Sequence, residues 1–429
     1  MAPAYKLTYF NGRGLAETSR YLLKYGGIDF EDVRVEHADW PQLKDKTPFG
    51  QLPVLEHNGK KVGQSIAIAR YLGKLVKLAG KDDWENLEID AVVDTINDLR
   101  LKIMVIRFEK DEEKKKAMTE TALKETVPYY LTRLEAIVQK NKGYLALGRL
   151  TWADMYIASI APGFDSFTGD DTLAKYPNLK ALRDKVDALP AIKKWIEVRP
   201  KTEFYYSTGA NSNLKTVTLF ASLSAMAPAY KLTYFDVRGL AEASRLLFKY
   251  GDIDFEDVRI KREEWPQLKE TTPFGQLPVL EYKGRKVGQS IAIARYVGKL
   301  VKLAGNDDWE NLEIDAVVDT FNDMRSKIML FHYEQDEEKK KVLKETAINE
   351  TIPSYMGRFD ALVEKNKGHL ALGRLTWADL YFTSFSPSLV SFTGEDAFAK
   401  YPNLQALIDK VNAIPAIKKW IAERPKTEF

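Results

Sequence analysis

The chain is one sequence written twice. Met1–Phe204 and Met226–Phe429 align without a gap at a constant offset of 225, and about 147 of 204 positions are identical. A period that long is far beyond the roughly 20–50 residues of a solenoid repeat, so each copy is a domain-sized unit with its own core. Each is expected to be complete, from its own Met to its own Lys-Thr-Glu-Phe. The repeat also filters the chemistry: a function common to both halves rests on residues present in both.

Histidine fails that filter. His37, His57, His332 and His369 face Arg262, Tyr282, Arg107 and Tyr144 in the other copy. With no cysteine in the chain, a disulfide, a zinc finger, an iron–sulfur cluster and a cysteine nucleophile are all excluded. Hydroxyls, carboxylates, amides and basic side chains remain, and no ligand cluster for a metal is expected. The net charge of +3, from 64 basic and 61 acidic residues, gives no electrostatic case for nucleic acid or membrane partners. No apolar run approaches the ~20 residues of a membrane span. The first residues lead straight into an alternating segment, so no leader peptide is expected, and the expected location is cytoplasmic.

Within one copy, Tyr5–Phe10 alternates and reads as a strand. Gly12 and Gly14 break it, and Leu15–Tyr25 follows with helical spacing up to Gly26-Gly27. Phe30–Glu36 is a second strand. Pro53–Glu56, Asn58-Gly59 and Lys61–Gly63 make a hairpin. Ser65 stands as N-cap before the amphipathic run Ile66–Leu75. From Trp84 the pattern is helical throughout: Trp84–Lys110, Glu112–Gln139, Thr151–Ser159, Asn178–Leu189 and Ala191–Arg199, with Thr151 and Asp154 as a capping-box variant. The order βαβ, ββα and then helices predicts an α/β plus all-α unit, a thioredoxin-like half followed by an all-helical half. The expected boundaries are 1–80 and 81–204, then 226–305 and 306–429. The spacer 205–225 is polar in its first half and apolar in its second. It is either plain fusion spacer or a segment that docks Leu219, Phe220 and Leu223 on a domain surface.

KLTYF (6–10), RGLAE (13–17), ADWPQLK (38–44), PFGQLPVLE (48–56), QSIAIARYL (64–72), VDTINDLR (93–100), LTWADMY (150–156) and PAIKKW (190–195) occur in that order. Together they resemble the sigma class of cytosolic glutathione transferases, in its arthropod members and the haematopoietic prostaglandin D synthase type. The resemblance spans both copies and omits the spacer. It implies a thioredoxin-like domain and a helical domain per copy, usually assembled as dimers, so that the two units pair within a chain or between chains.

The resemblance also implies roles. Tyr9 and Tyr234 match the catalytic tyrosine, although strand aromatics are ordinarily core residues. Arg13 and Arg238, Gln51 and Gln276, and Leu52-Pro53 and Leu277-Pro278 match glutathione-binding positions, the prolines matching a cis-proline that exposes the preceding backbone. Gln64-Ser65 and Gln289-Ser290 open a helix whose N–H groups suit the γ-glutamyl carboxylate, and an N-cap serine explains Ser65 equally well. Trp40 with Lys44, and Trp265 with Lys269, match contacts to the glycyl end, against the plainer reading of an exposed aromatic and a solvated lysine. Asp98 and Asp323 match the acid that reaches the neighbouring subunit's γ-glutamyl ammonium, against that of a solvated helix aspartate. Phe10, Val105, Phe235 and Leu330 match the electrophile pocket.

The sequence departs from the prostaglandin synthase type at Leu15 and Leu240, where that type has a second loop arginine, and at Val105 and Leu330, where it has a tryptophan. The expected activity is conjugation of glutathione, the co-substrate, to small hydrophobic electrophiles such as xenobiotics and lipid-peroxidation products. The alternatives are prostaglandin D isomerisation and a non-catalytic crystallin-like or binding protein. The copies diverge most over 101–108 and 155–164, so the two sites are expected to prefer different electrophiles.

Overall fold

The structure is a computed structural model that describes residues 3–109, 111–202, 229–334, 336–393 and 398–427. The alternatives for the spacer 205–225 lie outside the described residues.

In the first copy, β1 (Tyr5–Phe10), α1 (Glu17–Tyr25), β2 (Phe30–Val35), α2 (Trp40–Leu43), β3 (Val54–His57), β4 (Lys60–Gly63) and α3 (Ser65–Leu75) form the thioredoxin-like half. The sheet order is β2-β1-β3-β4, with β1 parallel to β2 and antiparallel to β3. Alternation along β1 places Tyr5, Leu7 and Tyr9 on its buried face. The first helix begins with a 3₁₀ turn, Gly14–Ala16, before α1. At α3 the helix starts one residue earlier than expected. Ser65 is its first residue and Gln64 takes the cap position, with φ +72° and no side-chain capping bond.

The helical half comprises α4 (Asp83–Arg107), α5 (Glu112–Thr121), α6 (Val127–Lys140), α7 (Trp152–Thr168), α8 (Pro177–Asp187) and α9 (Pro190–Val198). Two departures from the sequence expectation stand out. The helix expected over Glu112–Gln139 is interrupted by a π turn, Ala122–Thr126, where the Val127 N–H reaches back five residues to the Ala122 carbonyl. Pro128 follows and has no N–H of its own to continue the regular ladder. The helix expected to stop at Ser159 instead runs through Pro162 to Thr168. Ala161, Gly163, Phe164 and Phe167 are all buried, so packing carries it past the proline.

Asp154 sets the start of α7. Its carboxylate accepts from the Thr151 N–H at 2.7 Å, the Thr151 hydroxyl at 3.0 Å and the Leu145 N–H at 2.8 Å. Burial pushes its pKa up to about 6 in spite of these bonds. The two halves meet at Gly73 on α3, where an added Cβ would stand 2.8 Å from the Trp152 side chain on α7. Trp152 is fully buried there, and burying a large apolar side chain contributes about 1.5–3 kcal/mol.

The second copy repeats this order: β5 (Tyr230–Phe235), α10 (Glu242–Tyr250), β6 (Phe255–Ile260), α11 (Trp265–Leu268), β7 (Val279–Tyr282), β8 (Arg285–Gly288) and α12 (Ser290–Leu300). Then follow α13 (Asp308–Tyr333), α14 (Glu337–Thr346), α15 (Ile352–Lys365), α16 (Trp377–Thr393), α17 (Pro402–Asn412) and α18 (Pro415–Glu423). The π turn recurs at Ala347–Thr351 and the close contact at Gly298 against Trp377.

Candidate active site

Tyr9 lies next to the end of β1, so its ring projects from the core face toward the loop that follows the strand. That loop turns back over the phenol. The Leu15 N–H donates to the Tyr9 hydroxyl oxygen at 3.2 Å, and the Leu240 N–H to Tyr234 at 3.3 Å. A hydroxyl that accepts such a bond aims its own proton in another direction.

The loop is held from below by a buried arginine. Arg20 donates to the carbonyls of Gly12 at 2.9 Å and Arg13 at 3.3 Å, and pairs with Asp32 at 2.9 Å and Glu17 at 3.0 Å. Glu17 in turn accepts from Trp195 Nε1 at 2.9 Å and from Arg199 at 2.8 Å, both from the last helix and its end. Burial, with the nearby Arg199 guanidinium, lowers the pKa of Arg13, while Glu17 opposes the shift. Arg238 is lowered in the same way, by burial and Arg424.

Beside the loop, Phe10 packs edge-on to Trp40 with centroids 5.5 Å apart, and Phe235 to Trp265 at 5.7 Å. His37 stacks on Phe10, and its counterpart Arg262 lies over Phe235, so different chemistry serves the same packing. Lys44 and Lys269 each open a 3₁₀ turn, closed by the Thr47 and Thr272 hydroxyls on their carbonyls. The peptides Leu52–Pro53 and Leu277–Pro278 are cis, directly before β3 and β7.

Gln64 donates to Gln51 at 3.0 Å, and Gln289 to Gln276 at 3.1 Å, which ties the cis-proline segment to the start of α3 and α12. The positive φ of Gln64 and Gln289 is unusual for a residue with a side chain. Ser65 and Ser290 follow as first helical residues, where backbone N–H groups collect. Asp98 and Asp323 lie half-buried on α4 and α13.

A cleft with about 340 Å³ of open space adjoins the loop of the first copy. Gly14 and Leu15 form one wall. Arg100, Ile103 and Met104 of α4 and Ile160, Gly163 and Phe164 of α7 form the others. Of the residues expected at the electrophile pocket, Val105 is 39% exposed and Leu330 38%. On α4 the cleft is bordered by Arg100, Ile103 and Met104, which share one side of the helix. Among the described residues no group of three or more His, Asp or Glu is placed to hold a metal, and no helix is long and apolar enough to cross a membrane.

The comparisons with known proteins agree with this architecture. The family described as "Glutathione S-transferase, N-terminal domain" matches residues 5–74 and 230–299, and "Glutathione S-transferase, C-terminal domain" matches 97–199 and 322–424. Glutathione S-transferase S1 of Drosophila melanogaster is 51% identical over 200 residues, 47% of this chain and 80% of that protein. A glutathione S-transferase of Anopheles gambiae is 49% identical over 201 residues, 47% of this chain and 99% of that protein. The hematopoietic prostaglandin D synthase of Gallus gallus is 44% identical over 200 residues, 47% of this chain and 98% of that protein. Each relative thus corresponds to one copy. The chain belongs to the glutathione S-transferase family, in its sigma-like branch, with both domains of the family present twice in tandem.

Proposed function

We propose that each copy conjugates glutathione to small hydrophobic electrophiles through a tyrosine-stabilised thiolate. The supporting observation is the position of the phenol. Tyr9 meets the amide of Leu15, and Leu15 is also a wall of the apolar cleft, so a sulfur bound at the hydroxyl lies beside the place where an apolar partner fits. Tyr234 meets Leu240 in the same way.

A free thiol with a pKa near 8.5 is only a few per cent ionised at neutral pH, and the thiolate is the nucleophile. A phenolic O–H donated to the sulfur favours the anion and lowers that pKa. The thiol proton leaves to solvent. The sulfur then forms a bond to the electrophilic carbon, and with an aryl halide the carbon–halogen bond breaks and halide leaves with the electron pair. Gln51, Gln64 and Ser65 are proposed to hold the γ-glutamyl end, the Leu52 backbone before Pro53 the cysteinyl part, and Trp40 with Lys44 the glycyl carboxylate. Arg13 and Asp98 complete the set, and Arg238, Trp265, Lys269, Gln276, Leu277, Pro278, Gln289, Ser290 and Asp323 repeat it. Phe10 and Phe235, packed on the tryptophans, border the electrophile side, and the α4 and α7 residues of the cleft are added to it.

A prostaglandin D isomerase activity is the second reading, favoured by the synthase of Gallus gallus among the relatives. Against it, the loop has an apolar Leu15 side chain on the cleft and no second guanidinium. Retention on immobilised glutathione, followed by turnover of a chromogenic aryl halide, tests the main reading. Retention without turnover in either copy would assign the chain to the non-catalytic alternative.

A further inference from the structure

Glu17 has three partners that no proposed contact with glutathione requires. Its side chain is buried, and it accepts from Arg20 of its own helix and from Trp195 and Arg199 at the far end of the copy. Arg20 passes the constraint on, because the same nitrogen that pairs with Glu17 donates to the Gly12 and Arg13 carbonyls. Two residues later the chain presents the Leu15 N–H to Tyr9.

The second copy repeats the set with different loop residues. Glu242 accepts from Arg245 at 3.3 Å, Trp420 at 2.9 Å and Arg424 at 2.6 Å, and Arg245 donates to the Val237 and Arg238 carbonyls at 2.9 and 3.1 Å. Asn11-Gly12 has become Asp236-Val237, yet the bonds to the loop backbone are kept. The acceptors are backbone carbonyls, so the same loop path, rather than particular loop side chains, carries these bonds in both copies.

We infer that Glu17 and Glu242 are positioning residues that clamp the phenol loop to the last helix and so set the donor strength of the tyrosine toward the thiolate. The inference rests on the functional reading above. Buried carboxylates bonded to several donors are stiff, and a loop held this way keeps the amide–phenol bond in place through the reaction.

The test uses the full chain with the second site weakened by Tyr234→Phe, and each variant is read against that background. Trp195→Phe keeps an aromatic ring and the Glu17–Arg199 ion pair and removes one donor to Glu17. Arg199→Ala removes the ion pair, and Arg199→Lys keeps a cation there. The readouts are the pH midpoint of the ultraviolet thiolate signal of bound glutathione, kcat, and KM for glutathione.

Trp195→Phe is expected to raise the midpoint by about half a unit and to lower kcat about threefold, with KM within about twofold. Arg199→Ala should move both further, and Arg199→Lys should recover most of the loss. Variants that melt earlier but keep the parental midpoint overturn the inference and leave Glu17 as a structural residue. A shift in Arg199→Ala with none in Trp195→Phe also overturns it, since charge alone would then be acting. A parental chain with no thiolate signal near neutrality overturns the functional reading itself, and the inference with it.

Discussion

A Cβ placed on Gly14 would stand 2.6 Å from the Tyr9 hydroxyl oxygen, and Gly14 holds φ at +42°. The loop therefore approaches the phenol more closely than any residue with a side chain permits. Gly239 repeats the relationship, with an added Cβ 2.8 Å from the hydroxyl oxygen of Tyr234.

Gly14→Ala is expected to displace the phenol and to cost about 1–2 kcal/mol in backbone strain. Conjugation by the first copy should fall at least tenfold in a Tyr234→Phe chain, while thermal melting shifts by only a few degrees. Unchanged turnover would show that the phenol does not need its present place.

On the proposed mechanism, Tyr9→Phe and Tyr234→Phe each remove a donor to the charged sulfur, an interaction of about 1.5–3 kcal/mol. Each should lower turnover at its own site by about 10- to 150-fold. Single variants assayed with several electrophiles should leave different residual profiles, because Ile160, Gly163 and Phe164 are replaced by Phe385, Ser388 and Leu389. Identical profiles would mean that the two pockets do not discriminate.

Ile160→Phe, made in a Tyr234→Phe chain, places the second copy's residue on the cleft of the first. It should raise KM about tenfold for a bulky electrophile and leave KM for glutathione unaltered. Steady-state kinetics with a small and a large aryl halide separate the two effects.

Asp154 supplies a pH prediction. Its pKa is raised by burial from 3.8 to about 6, so the folded chain binds this proton more tightly than the unfolded one. The contribution to stability is fully present below about pH 4 and is lost as pH rises through 6. Relative to Asp154→Asn, the parental chain should gain melting temperature on acidification from pH 7 to pH 4. Carboxyl-carbon NMR of Asp154 should titrate near 6, and a midpoint near 4 would contradict the effect of burial.

Much of this was legible in the sequence because the signals were local or repeated. Alternation in Tyr5–Phe10, the glycines after it and the Thr151/Asp154 box name their structures through short-range physics, and the 225-residue offset doubles each reading. The π turn at Ala122–Thr126 was not legible, since Pro128 marks an interruption of the ladder but not the one-residue shift in hydrogen bonding that precedes it. Nor was the run of α7 through Pro162, which depends on burial from several sides. Met104 rather than Val105 reaches the cleft because a single step around a helix turns a side chain by about 100°. Glu17 lies within RGLAE, yet two of its three partners, Trp195 and Arg199, lie 178 and 182 residues away, beyond any local pattern.

That separation has a consequence for how the protein is made. A ribosome delivers Glu17 182 residues before Arg199, an interval of about 10–40 s at ordinary elongation rates. For that time the nascent first copy has its strand, its phenol and its glycines but lacks the fastener from its own end. On the proposed clamp, competence at each site is expected late in the translation of its copy, and the first gains its fastener while the second is still being synthesised.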